Sequence, residues 1–301
     1  MSESNKRNFI VHGSILAIAG ILVRIIGMLY RIPVVNIIGS EGNGIYGAAF
    51  NIYNIMLVLS SYGLPMAVSK LVSARFTKKR YKSAAKVLRC SLMVAVCTGG
   101  IAALLVFFGA SFIENVIYGG GLPGLAIPLR ILAPTIFLVA ILGVIRGFFQ
   151  GQSTMIPTAV SQILEQIVNA IVSIAAGYGM MKAFASSPDV AAYGAAGSTL
   201  GTAMGALTAV LFMGFLYAVY TPTFNRLKRK DRHTENQSTG QICKIIIYTM
   251  IPIILGQTFY QISALIDDVM FSNIMVGRDI TKSISMAVSY THLRAHETLR
   301  H

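Results

Sequence analysis

Seven stretches of mostly apolar residues run along the chain, near 9–37, 44–69, 87–112, 125–150, 155–180, 191–220 and 242–275. Each is long enough to cross the hydrocarbon core of a bilayer as a helix, which takes about 20 residues. None shows the alternating polarity over about ten residues that a transmembrane barrel strand requires. The pattern predicts an all-α polytopic membrane protein of about seven transmembrane helices joined by short polar segments.

Composition supports this and removes other classes. Of the 301 residues, 54% are apolar and 12% charged, with a mean hydropathy of +0.66. An ordinary soluble chain is about 25% charged, so too few charges remain to form a polar skin. A soluble enzyme, a disordered chain and a disulfide scaffold are all excluded. Three cysteines are too few for a disulfide framework, and Cys90 and Cys97, inside one apolar run, are expected as reduced core residues.

The net charge of +14 is unevenly placed. Eight of the 25 basic residues lie between Lys70 and Arg89 with no acid among them, and five more between Arg226 and Arg232. Basic segments between spans mark the cytoplasmic side and attract anionic membrane lipids. With no soluble module to carry the charge, nucleic acid is not expected as a partner. Lys6 and Arg7, loop 70–86, the turn after span four and loop 221–241 form the basic side. Loops 38–43 (Glu41), 113–124 (Glu114) and 181–190 (Lys182, Asp189) form the other. The expected location is the bacterial cytoplasmic membrane, multi-pass, with the N-terminus inside and no cleavable signal peptide.

After Val288 the hydropathy collapses, and three of the five histidines fall in the last ten residues. Residues 289–301 resemble translated sequencing-adaptor read-through and are expected to be non-native, with the chain a fragment cut shortly after span seven. A genuine polar tail is the alternative.

Charges inside spans are costly and are functional candidates by default. Arg24 and Arg31 stand seven apart in span one, nearly two turns, and so project from one face. Arg24 lies ~22 Å along the helix from Phe9. It is expected to face protein or a wet cavity, with pairing to a buried acid such as Glu165 as the structural alternative. Arg31 is a cavity residue or an interfacial anchor. Arg146 and Glu165 occupy neighbouring antiparallel spans. A salt bridge between them is the plain expectation, and Glu165, ~15 Å deep, is also a candidate to titrate. Asp267 and Asp268 lie toward the outer end of span seven. Arg130 and His12 are expected at interfaces. Asn51 and Asn54 share a face of span two, either bonding between helices or lining a cavity, and Asn36 is read the same way. Gly197, Gly201 and Gly205 form a small-xxx-small ladder suited to close helix packing. Pro33, Pro65, Pro134, Pro157 and Pro252 are potential kinks. No metal cluster, phosphate-binding Gly-Lys-Ser/Thr loop or nucleophilic triad is present, and no segment between spans is long enough for a catalytic domain. Neither a cofactor, a metal nor enzymatic activity is expected.

Four runs, in two regions of the chain, resemble a known family. Arg146-Gly147-Phe148-Phe149-Gln150-Gly151 with Pro157-Thr158-Ala159-Val160-Ser161-Gln162-Ile163-Leu164-Glu165-Gln166 is similar to the junction of spans four and five in polysaccharide-biosynthesis flippases. Arg24-Ile25-Ile26-Gly27 through Arg31, and Gly39-Ser40-Glu41-Gly42-Asn43-Gly44-Ile45-Tyr46, look like the same group. The likeness, over roughly residues 5–288, is to the stage V sporulation protein B branch, related to MurJ lipid II flippases within the multidrug/oligosaccharidyl-lipid/polysaccharide (MOP) exporter superfamily. It implies two lobes of helices around a central cavity. Residues 1–240 would be the six-helix N-terminal lobe, and 241–288 the first helix of a second, truncated lobe. It implies that Arg24 and Arg31 match cavity arginines, whereas Leu57 stands where MurJ-type proteins place an arginine. The cavity candidates are therefore Arg24, Arg31, Asn51, Asn54 and Glu165. Arg146, Gln150, Gln162, Asp267 and Asp268 are structural or gating candidates.

The implied activity is flipping of a lipid-linked (polyprenyl diphosphate) sugar or peptidoglycan precursor for cell-wall, spore-cortex or polysaccharide synthesis. No protein partner is legible. Cavity arginines suit this cargo because a guanidinium makes bidentate contacts to phosphate. A multidrug cation antiporter of the same superfamily is the rival, and it would want cavity acids. A membrane enzyme of polysaccharide synthesis and a non-transporting scaffold are weaker alternatives.

Overall fold

Without water in the hydrocarbon core, every backbone N–H and C=O must be paired inside its own segment, and helix is the solution adopted throughout the described residues. The structure is a computed structural model describing residues 3–232 and 237–277. The tail after Val288 and the side chains of His12 and Asp268 lie outside that description. Seven α-helices follow in order: α1 (Glu3–Ser60), α2 (Leu64–Thr77), α3 (Tyr81–Phe112), α4 (Ala126–Gly151), α5 (Ile156–Ala183), α6 (Val190–Lys230) and α7 (Thr239–Gly277).

Spans one and two are both found, but the loop expected at 38–43 is not. Helix continues on both sides of Gly39, which alone breaks it with φ 69° and ψ −178°, a conformation essentially confined to glycine. The two arms, 3–38 and 40–60, turn back on each other there. Tyr30 and Tyr46 lie close enough to interact electrostatically, yet in an unbroken helix they would be separated by ~24 Å. Val34 and Ile38 of the first arm pack in one cluster with Ile45, Ala49 and Ile52 of the second.

The basic loops are also shorter than expected. α2 carries the chain helically to Thr77, so only Lys78–Arg80 turn before α3, and α6 runs on to Lys230. A polar segment beside a span continues as helix wherever its exposed face can be solvated. Pro65 and Pro157 begin helices α2 and α5 instead of kinking them, because a first-turn position needs no N–H partner. Pro33, Pro134 and Pro252 lie inside helices, as does Pro222.

The two ends of the bundle are capped by acids from neighbouring elements. At one end, both carboxylate oxygens of Glu114 accept backbone N–H groups at the start of α4, from Gly124 (3.0 Å) and Ala126 (2.7 Å). At the other, Asp231, 5% exposed, accepts the N–H of Lys82 in the first turn of α3 at 2.9 Å. Each acid satisfies orphan donors and meets the positive end of a helix dipole. Arg75 of α2 bonds Ser83 Oγ (2.9 Å) and Gln237 Oε1 (2.8 Å), so the two basic segments meet at the Asp231 end. Loops 113–124 and 181–190 meet at the opposite end, where Gly124 faces Ala192 and Asp189.

Lipid is as apolar as leucine, so helices associate here through close packing. Added Cβ atoms on Gly197, Gly201 and Gly205 of α6 would lie 2.4, 2.1 and 2.6 Å from Ala176 O, Ser173 Oγ and Glu165 O of α5. The expected ladder is real. A second one was missed, although its spacing is plain: Gly143, Gly147 and Gly151 of α4 seat Pro65, Val68 and Val72 of α2. Cys90 is buried as expected, but Cys97 is exposed, on a side of α3 where Ile101, Leu104 and Phe108 also face outward.

Substituting Gly147 or Gly201 by leucine is expected to destabilise the bundle by about 1–3 kcal/mol or more through overpacking. Alanine at Gly109 or Gly179, where nothing lies within 4 Å, is expected to be neutral. The folded fraction remaining after graded heating in detergent measures both.

Candidate functional site

Helix α5 organises the polar interior. Thr158, Ser161, Glu165, Asn169, Ser173 and Gly177 recur every three or four residues and so form one stripe. The α6 ladder pins that stripe in place. Ser173 Oγ donates to Asn169 Oδ1 (2.9 Å) or to Ser198 O (2.8 Å), and Asn169 Nδ2 reaches Tyr30 Oη of α1 at 3.3 Å. Tyr30 lies within electrostatic reach of Tyr46, and Tyr53 within that of Glu165. The chain of polar groups thus runs from α6 through α5 to both arms of α1. Sequence reasoning missed Tyr30, Tyr46, Asn169 and Ser173. The regular spacing along α5 was the available signal.

Arg146 of α4 fills the near end of the stripe. Its Nη2 lies 2.7 Å from Glu165 Oε2, and its Nε donates to Ser161 Oγ at 2.9 Å. The pair is mostly enclosed, with 14% and 27% of the two side chains exposed. Glu165 is therefore the partner of Arg146 and not of Arg24. Gln150 Nε2 stands 3.5 Å from Thr158 Oγ1 and ties the α4–α5 turn. Gln162 is half-buried one turn away.

Arg24 and Arg31 occupy a different environment. Both are exposed and stand ~20° apart around the helix axis. On one side of them is the seam where Gly27 packs against Gln166 Nε2 and Tyr30 meets Asn169. On the other is an open apolar surface that includes Ile21, Ile25, Met28 and Ile32. Arg31 also acts electrostatically on Tyr46. Two guanidinium groups thus line the open edge of a polar seam, and among the described residues neither forms a salt bridge with an acid.

The remaining candidates are dispersed. Asn51 and Asn54 are half-buried on the second arm of α1, and Asn36 is exposed. Leu57 is half-buried and packs against the cluster around Ile52 and Leu129. Asp267 is exposed on α7. Arg130 Nη2 donates to Ser111 Oγ at 2.9 Å, consistent with an end position. Among the described residues, no group of three His, Cys, Asp or Glu side chains could hold a metal ion.

The bundle is one that known transporters share. It superposes on a MATE transporter in its straight conformation with a TM-score of 0.67, at 17% identity, covering 96% of this chain and 64% of that one. An inward-facing multidrug resistance MATE family transporter of the MOP superfamily matches with a TM-score of 0.58 at 16% identity, over 87% of this chain and 57% of that one. At such identities the likeness concerns the fold. In sequence, the lipid II flippase MurJ of Bacillus subtilis (strain 168) is 34% identical over 176 residues, 56% of this chain and 32% of that protein. Stage V sporulation protein B of the same organism is 30% identical over 210 residues, 69% of this chain and 39% of that protein. The chain thus spans between about a third and two fifths of the length of these relatives. The polysaccharide biosynthesis protein family matches residues 10–281, and with nearly the whole chain inside that match, this multi-pass membrane protein belongs to that family.

Proposed function

We propose that the chain forms the N-terminal lobe, residues 1–240, and the first helix of the second lobe, 241–288, of a flippase for lipid-linked saccharide or peptidoglycan precursors. Its cargo carries a diphosphate between a polyprenyl chain and a polar head. The observation that carries this reading is the contrast between the intramembrane arginines. Arg146 is neutralised by Glu165 at 2.7 Å, whereas Arg24 and Arg31 present their charges along an open edge. Two such groups, ~10 Å apart along the helix, suit successive contacts with a diphosphate. The polyprenyl chain stays in lipid while the head passes along the seam, and alternating rocking of two lobes moves it across. The movement needs no covalent chemistry. The similarity to the lipid II flippase MurJ supports the same class of cargo.

A multidrug cation antiporter shares the fold, but the acid it would use, Glu165, is occupied by Arg146. Arg24 and Arg31 would repel a cation.

In this reading the Asp231 end of the bundle, where the two basic segments meet, is cytoplasmic. With Cys90, Cys97 and Cys243 replaced, a single cysteine at Lys79 is expected to resist an impermeant thiol reagent in intact cells, and one at Ser186 to react. Labelling of position 79 from outside would reverse the orientation.

Membrane abundance and affinity for a polyprenyl diphosphate saccharide separate the arginines. Arg24→Ala is expected to leave abundance unchanged and to weaken binding roughly 10- to 100-fold, the worth of a charge-assisted hydrogen bond. Arg24→Lys keeps the charge without the planar fork and is expected to bind with intermediate affinity. Arg146→Ala strands Glu165, costs ~3 kcal/mol and is expected to lower abundance. Unchanged binding by Arg24→Ala would remove the phosphate role.

A further inference from the structure

The Asp231 end of the bundle holds a cavity of about 420 Å³ that none of the preceding site residues lines. Its walls come from the first turns of α3, the last turn of α6 and the first residue of α7. Lys82, Lys86, Arg89 and Lys228 contribute four positive charges, and Cys90 and Met93 also line it, further along α3. Two of the cations are held in place. Lys86 Nζ bonds to Gln237 O, and Lys228 Nζ sits 5.1 Å from the centre of the Phe224 ring. The nearby acid, Asp231, is buried and accepts the N–H of Lys82; its single negative charge is outnumbered by the four cations of the lining, so the cavity stays net positive.

The surface beyond the cavity changes character. From Arg89 the same side of α3 continues through Met93, Val96 and Leu104, which are 48, 46 and 58% exposed. Positive charge at the mouth of a membrane helix, followed by a continuous apolar strip, is the profile of an amphiphile with an anionic head and hydrocarbon tails. Its volume falls within the ~300–1,000 Å³ of small-ligand sites. Lys and Arg near the membrane surface each contribute appreciably to holding anionic lipid.

We propose that this cavity binds the phosphate head of an anionic membrane phospholipid, with its acyl chains lying along Met93–Leu104 of α3. The site is separate from the Arg24–Arg31 seam and does not depend on the cargo assigned to it. Because its walls join α3 and α6 to the start of α7, a bound phospholipid bridges these elements through its phosphate.

The test is native mass spectrometry of the full chain released from nanodiscs containing phosphatidylglycerol or phosphatidylcholine alone. Retention of phosphatidylglycerol but not phosphatidylcholine is expected. Lys82→Gln/Lys86→Gln/Arg89→Gln should reduce retention roughly a hundredfold, while the charge-matched Lys78→Gln/Lys79→Gln/Arg80→Gln, in the adjacent turn, should retain it. Arg89 is exposed, so Arg89→Gln alone tests the site without threatening the fold and should weaken retention about fivefold. Equal losses in the two triple variants, or undiminished retention in Arg89→Gln, would reduce the effect to diffuse surface charge and overturn the site. Saturable thermal stabilisation by inorganic phosphate, with no lipid retained, would place a soluble anion there and overturn the lipid assignment.

Discussion

Helices in a bilayer gain nothing by exchanging lipid for one another, so their association depends on how closely two backbones approach. In this bundle the approach of α6 to α5 sets almost everything else. Gly197, Gly201 and Gly205 admit the α5 backbone to distances at which any Cβ would collide. With α5 fixed in rotation, its polar stripe has one place to go. Glu165 meets Arg146, and Asn169 meets Tyr30 of the first helix. The second ladder, Gly143–Gly147–Gly151, does the same for α4 against α2 and so positions Arg146. Ladder and polar network are thus consecutive steps of one packing solution.

That solution separates two kinds of intramembrane charge. An arginine enclosed by protein needs a counter-ion, and Arg146 has one. An arginine on the margin of a seam can remain unneutralised only if water or a polar ligand reaches it. Arg24 and Arg31 hold that marginal position, bordered by polar groups on one side and apolar surface on the other. The division follows from helix rotation alone: the seam takes Gly27 and Tyr30, and the arginines fall one step around the wheel. In the proposed function, that margin is the polar track an amphiphilic cargo would follow beside a hydrocarbon surface.

Much of this was legible from the order of residues. Apolar runs of spanning length located the helices, the α6 glycine spacing located its ladder, and adjacency of spans four and five pointed to Arg146–Glu165. The legible features share one property: they depend on neighbours along the chain. The break at Gly39 was read as a loop because a single residue in a glycine-only conformation leaves no mark on hydropathy. Glu114 reads as a loop charge, and Asp231 draws no notice within its basic segment, because their roles lie in capping helices that begin ten or more residues away in sequence, or on another element altogether. Tyr30 and Asn169 look like ordinary span residues until α1 and α5 are brought together.

In the proposed function, the phosphate-bearing head of the cargo travels along the Arg24–Arg31 edge. Met28, 64% exposed, lies between the two arginines on their side of α1, and a photo-crosslinking residue placed there reports directly on what passes. With a radiolabelled polyprenyl diphosphate saccharide in the membrane, position 28 is expected to capture the labelled precursor. The same residue at Phe108, 76% exposed among apolar neighbours on α3, is expected to capture bulk lipid. Equal capture of the precursor at both positions would contradict the claim.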